Sequence, residues 1–142
     1  LTEMGGEEKA VPSVTLELEW QNEKHRWKRF ASAEPDNIDL VQDLHDDSTH
    51  IVTYAFANID TDSETVIQSE LSGECSAVVI LNGKKVFHYK GLKNESGKIN
   101  LALKKGRNNL LLKLVRKEKE WCFSFSVKSK NIVNQKNRYK II

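Results

Sequence analysis

The residues of this 142-residue chain best suited to chemistry are aromatic rings set among charges. Trp27 stands in "NEKHRWKRF", flanked by Arg26, Lys28 and Arg29. A ring exposed beside a guanidinium can stack on the apolar face of a pyranose while polar neighbours hydrogen-bond its hydroxyls. Trp27 and Arg26 are therefore the first candidates for holding a ligand, an anionic glycan in particular. The competing reading turns Trp27 inward between outward charges. Trp20 continues the apolar positions Leu16 and Leu18, which puts it in a core or at its rim. Tyr89 follows His88 and can face either way. Together Trp27, Arg26, Trp20 and Tyr89 form the candidate binding set. Trp121 heads a strand whose alternate positions are all apolar, and it reads as core.

Catalytic groupings are harder to assemble. The chain has no G-x-S-x-G elbow, no H-E-x-x-H and no phosphate-cradling Gly-rich loop. His45 with Asp46 and Asp47 reads as an exposed loop cluster. Acidic residues are so frequent before residue 75 that a chance carboxylate pair carries no weight as a glycosidase signature. The chain is expected not to be an enzyme. A basic stretch, Lys104, Lys105, Arg107, Lys113, Arg116, Lys117 and Lys119, surrounds one strand pair, but net charge is only +2 and no nucleic-acid motif accompanies it. Nucleic acid is not the expected partner. Asn94-Glu95-Ser96 fits a glycosylation sequon, three residues that often match by chance. Cys75 and Cys122 are too far apart in sequence for a close metal pair; free buried thiols are the default and one disulfide the alternative.

The elements that must position these residues are strands. "VTLELEW" and "WCFSFSV" alternate apolar and polar positions, and "INLAL" sets Ile99, Leu101 and Leu103 on one side. Such period-2 segments are half-buried strands. "IVTYAFANI", "AVVIL" and "NLLLKLV" are apolar on both sides and read as central strands covered on both faces. Asn82-Gly83 suits a two-residue hairpin, because both central positions of a type I′ turn need positive φ. Lys105-Gly106 with Asn108-Asn109 marks another turn, "NESGK" a third, and "NIDTDSET" a polar connection. The best helix candidate is "NIDLVQDLH", residues 37–45, with an irregular loop as its alternative. Many short strands without βαβ alternation point to an all-β sandwich.

Length and composition agree with one domain, 13–128, behind a Gly/Glu-rich linker, 1–12, and ahead of a basic extension, 129–142. No apolar run is long enough for a transmembrane helix. The opening "LTEMGGEEKAVPS" lacks the apolar centre of a signal peptide, so any export signal is expected to have been removed or never to have existed. Charge is lopsided: residues 1–74 carry 17 acids and 5 bases, residues 75–142 carry 3 acids and 17 bases. Strands interleaved from the two halves would neutralise one another; otherwise the basic half offers a face to an acidic polymer or domain.

The order "TYAFANIDTDSETVIQSELSG", "AVVILNGKKVFHYKGL", "INLALKKGRNNLLLKLVRKEKEWCFSFSV" resembles the galactose-binding-like β-sandwich (jelly-roll) modules attached to bacterial carbohydrate-active enzymes. The resemblance covers residues 50–128; "SGECSA" replaces the acidic or Gly-rich loop frequent before the Asn-Gly strand in those modules. It implies an antiparallel β-sandwich of jelly-roll type in a secreted or cell-surface protein, binding a polysaccharide or glycan without catalysis. The alternative is a structural spacer packed on an adjacent domain. Modules of this kind often hold one structural calcium ion. Here Asp60, Asp62 and Glu64 lie close together, but a solvated turn is the better reading and no cofactor is expected.

Overall fold

The computed structural model describes residues 17–20, 23–26, 28–30, 38–39, 52–92, 95–117, 122–128 and 139–141, with side chains described between residues 52 and 127. Twelve strands occupy them: β1 (Glu17–Trp20), β2 (Glu23–Arg26), β3 (Lys28–Phe30), β4 (Ile38–Asp39), β5 (Val52–Thr61), β6 (Thr65–Ser72), β7 (Ser76–Leu81), β8 (Lys84–Tyr89), β9 (Lys98–Leu103), β10 (Gly106–Val115), β11 (Cys122–Lys128) and β12 (Tyr139–Ile141). There is no helix among the described residues, and hence none long and apolar enough to cross a membrane.

Two antiparallel sheets carry the fold, one of six strands in the order β3-β12-β5-β10-β7-β8 and one of four, β4-β11-β6-β9; among the described residues β1 and β2 form a separate two-stranded sheet. Successive strands from β5 to β11 change sheet at every connection except the β7–β8 hairpin. The sheets share one core, as in a β-sandwich. Ala55, Val79, Leu110, Leu112 and Leu114 from the larger sheet meet Ile67, Leu71, Leu101, Phe123 and Phe125 from the smaller. Each large side chain buried there contributes about 1.5–3 kcal/mol.

The strands that are apolar on both sides are the ones needing cover on both faces. β10 lies between β5 and β7. Its even-numbered residues Leu110, Leu112 and Leu114 enter the inter-sheet core. Leu111 joins Phe56 and Ile80 in a second buried cluster on the outer face, with Tyr54 and Val78 packed against it. Conversely β9 alternates strictly, burying Ile99, Leu101 and Leu103 and exposing Lys98, Asn100 and Ala102.

Three local readings shift. β5 runs on through Thr61, so only Asp62, Ser63 and Glu64 connect it to β6. Asn108 and Asn109 lie within β10, and the turn before it is Lys104–Lys105. In the segment read as a helix, Ile38 and Asp39 form β4, paired with Phe123 and Cys122; a tertiary ladder outweighs weak helical spacing. The rest of that segment lies outside the described residues. β12 falls within the basic extension and pairs with β3 on one side and β5 on the other. Asn82 (φ 48°) and Gly83 (φ 82°) make the hairpin turn that their types demand.

Candidate functional site

β5 and β10 pair antiparallel over ten residues, with Asn58 opposite Asn109 and Asp60 opposite Arg107. In each strand the intervening residues, Ile59 and Asn108, point inward and are buried. The period of two therefore brings Asn58, Asp60, Arg107 and Asn109 together on the outer face of the six-stranded sheet. Asn58 is exposed and Asn109 half-buried. Arg107 donates from Nε to Asp60 Oδ1 at 3.3 Å, the two side chains being 68% and 30% exposed. One register step below this polar shelf lies the apolar cluster of Phe56, Leu111 and Ile80. Beyond it the Lys113 ammonium sits 5.9 Å from the Tyr54 ring centre, a cation–π contact.

A buried network holds the shelf from beneath. The Asn108 side chain is wholly buried. Its Oδ1 accepts from Asn82 Nδ2 (2.9 Å) and from the Lys104 amide (3.0 Å). Its Nδ2 is shared among the carbonyls of Ile59 (3.2 Å), Lys104 (2.9 Å) and Gly106 (3.2 Å). Asn82 in turn binds Asn109 twice: the Asn109 amide donates to Asn82 Oδ1 at 2.9 Å, and the Asn82 amide donates to the Asn109 carbonyl at 2.8 Å. Thr61 Oγ1 donates to the Lys104 carbonyl at 2.9 Å. Two amides, a carboxylate and a guanidinium on a stiff strand surface supply the planar donors and acceptors that vicinal hydroxyls require.

Of the residues singled out by sequence, Tyr89 ends β8 and is buried in the inter-sheet core. Its hydroxyl donates to the Gly73 carbonyl at 3.4 Å. Burial, and then the neighbouring Cys75, raise its pKa. A ring in that position has no face to offer a sugar, so Tyr89 belongs to the scaffold and leaves the binding set. Trp20 and Arg26 lie at opposite ends of the β1–β2 hairpin, Trp20 opposite Glu23 and Arg26 opposite Glu17. Three residues of strand separate those ends, about 10 Å. Trp27 and Trp121 lie outside the described residues.

Around Tyr89 the structure is a built loop. Glu95 accepts from the Lys90 amide through both carboxylate oxygens and from the Leu92 amide, each at 3.1 Å. These hydrogen bonds, the Lys90 amide foremost, lower its pKa. Lys117 Nζ donates to the Lys90 carbonyl at 3.0 Å. Cys75 and Cys122 are both free thiols. Burial, with a smaller contribution from Cys122, pushes the Cys75 thiol up to about 12.

Asp60, weighed from the sequence as a calcium ligand, is instead paired with Arg107. Among the described residues no group of three His, Cys, Asp or Glu side chains is placed to hold a metal ion. The shelf was hidden in the sequence because its halves, "NID" and "RNN", lie 47 residues or more apart and both resemble turns. Only the β5–β10 register joins them. Compared with known proteins, the chain matches no family model, no curated protein and no solved structure.

Proposed function

We propose that this chain is a non-catalytic carbohydrate-binding module, of galactose-binding-like jelly-roll type, accessory to a secreted or cell-surface carbohydrate-active protein. The observation that carries the reading is the shelf of Asn58, Asp60, Arg107 and Asn109, side chains suited to hydroxyl recognition on a preorganised strand pair. The two-sheet architecture suits it, with five connections that change sheet. In such a module glycan binding raises the local concentration of an attached enzyme at its polymer. The stacking component of the proposal rests on the sequence, in Trp27 with Arg26 and Trp20.

A spacer that docks on a neighbouring domain is the rival, and it needs a continuous apolar patch. The large exposed apolar side chains among the described residues, Val52, Val66, Val86 and Leu92, stand on four separate segments. A glycan array of the purified chain tests the choice. Binding is expected, weakened about tenfold by Asn58→Ala and by Trp27→Ala, each equivalent to about 1.4 kcal/mol. A folded protein that binds no glycan would transfer the assignment to the spacer.

A further inference from the structure

We infer that the shelf selects carboxylate-bearing saccharides, with Arg107 as the anchor of the carboxylate. The inference rests on the glycan-binding reading and adds the chemical class of ligand.

Among the described residues, Asp60 takes the Nε–H of Arg107 alone. That contact draws the guanidinium towards Asp60, while 68% exposure of the side chain leaves much of the group open to solvent. The outer edge of a guanidinium presents parallel N–H groups at the spacing of a carboxylate's two oxygens. An arginine already oriented by an acid loses less freedom on binding a second one. Asn109 lies two residues along β10 on the same face and Asn58 lies opposite it, so amides stand about 5–8 Å from the anchor. In an acidic sugar the carboxylate and ring hydroxyls have a comparable separation.

The surrounding charge favours the same ligand. The hydrogen bonds of Asn82 to Asn108 and Asn109 fasten the β7–β8 turn against the start of β10. Lys84 and Lys85 at the start of β8 therefore join Lys104 and Lys105 of the turn before β10 and Arg107 near its start, all exposed. Asp60, Asp62 and Glu64 at the adjoining β5–β6 end offset part of this charge, leaving cations in excess. Long-range attraction would then speed encounter with a polyanion, and the Arg107 contact would confer selectivity.

Native affinity gels provide the test. The gels contain polygalacturonate, alginate or hyaluronan, with dextran, galactomannan, dextran sulfate and single-stranded DNA for comparison, each at low and physiological salt. At least one carboxylate polymer is expected to bind about tenfold more tightly than the neutral polymers and DNA at physiological salt. Arg107→Gln is expected to erase that preference, Arg107→Lys not to restore it, and Asp60→Asn to reduce it. Thermal melts confirm that each variant is folded. Neutral glycans bound equally well, with no effect of Arg107→Gln, would overturn the acidic class and leave the glycan-binding reading standing. No binding to any polysaccharide would overturn both. Equal binding to DNA and dextran sulfate that disappears with salt would reduce the surface to a general polyanion attractor and overturn the inference.

Discussion

Asn108 satisfies five hydrogen-bond contacts with one buried amide. Truncation would leave the buried Ile59 carbonyl without the Asn108 donor and remove the acceptor of the part-buried Lys104 amide. Each unsatisfied buried group costs about 1–3 kcal/mol, partly offset by relaxation. Asn108→Ala is therefore expected to lower stability by about 2–4 kcal/mol in urea unfolding; a change under about 1 kcal/mol would contradict the network's role. Cys75 gives a pH-dependent expectation. Its thiol ionises at about 12 in the folded protein against an ordinary 9.0. The unfolded chain loses that proton first, so the stability associated with this group is intact below pH 9.0 and is lost as pH rises towards 12. At neutral pH the same burial protects Cys75 from disulfide reagents. Titration of the native protein with a chromogenic disulfide should reveal at most one reactive thiol, with the second appearing only in denaturant.

Among the elements, β9 owes its placement to a close backbone approach. The Leu71 amide donates to the Gly97 carbonyl at 2.9 Å, and a Cβ on Gly97 would overlap the Leu71 carbonyl oxygen. Gly97→Ala should push β9 from β6 and cost about 1–3 kcal/mol. An unchanged denaturation midpoint would show that the two strands can separate freely. The strands β1, β5, β7, β9, β10 and β11 were legible, whereas β4 fell in a segment read as a helix and β12 in one read as a basic extension. Strict alternation marked β9 as half-buried, and two-sided apolar runs marked β5, β7 and β10 as interior to a sheet. Turn boundaries were less so, because Asn108 and Asn109 have turn-forming side chains. In β10 one feeds a buried network and the other faces the shelf. The shelf was not legible at all, since the apposition of Asn58 to Asn109 is a fact of register. Tyr89 could not be assigned from alternation alone, as β8 bulges at Val86 between Lys85 and Phe87.

At the scale of the whole molecule, β12 joins β3 to the rest of the larger sheet. β12 lies between β3 and β5, with Lys140 and Ile141 opposite Phe56 and Ala55. Deleting residues 139–141 would leave β3 without its ladder partner and open an edge on β5. Unpaired edges template association. The truncated protein is expected to melt at lower temperature and to self-associate in light-scattering chromatography. A monodisperse monomer with an unchanged melting temperature would mean that β12 contributes little to the sheet. The opposite edge is already guarded, because β8 carries Lys84, Lys85 and its bulge.

The Asn108 network also bears on how long the folded state lasts. Its partners Ile59 and Asn82 lie 49 and 26 residues away along the chain, so the network closes only after β5, β7 and β10 have met. The expectation is that these contacts form after the folding transition state, so that their loss falls on the escape rate. Asn108→Ala should leave refolding nearly unchanged while accelerating unfolding about a hundredfold, which stopped-flow chevron arms would resolve. One buried amide would then act as a timer, setting the lifetime of the native sandwich and with it the protein's resistance to proteases that attack it when it opens.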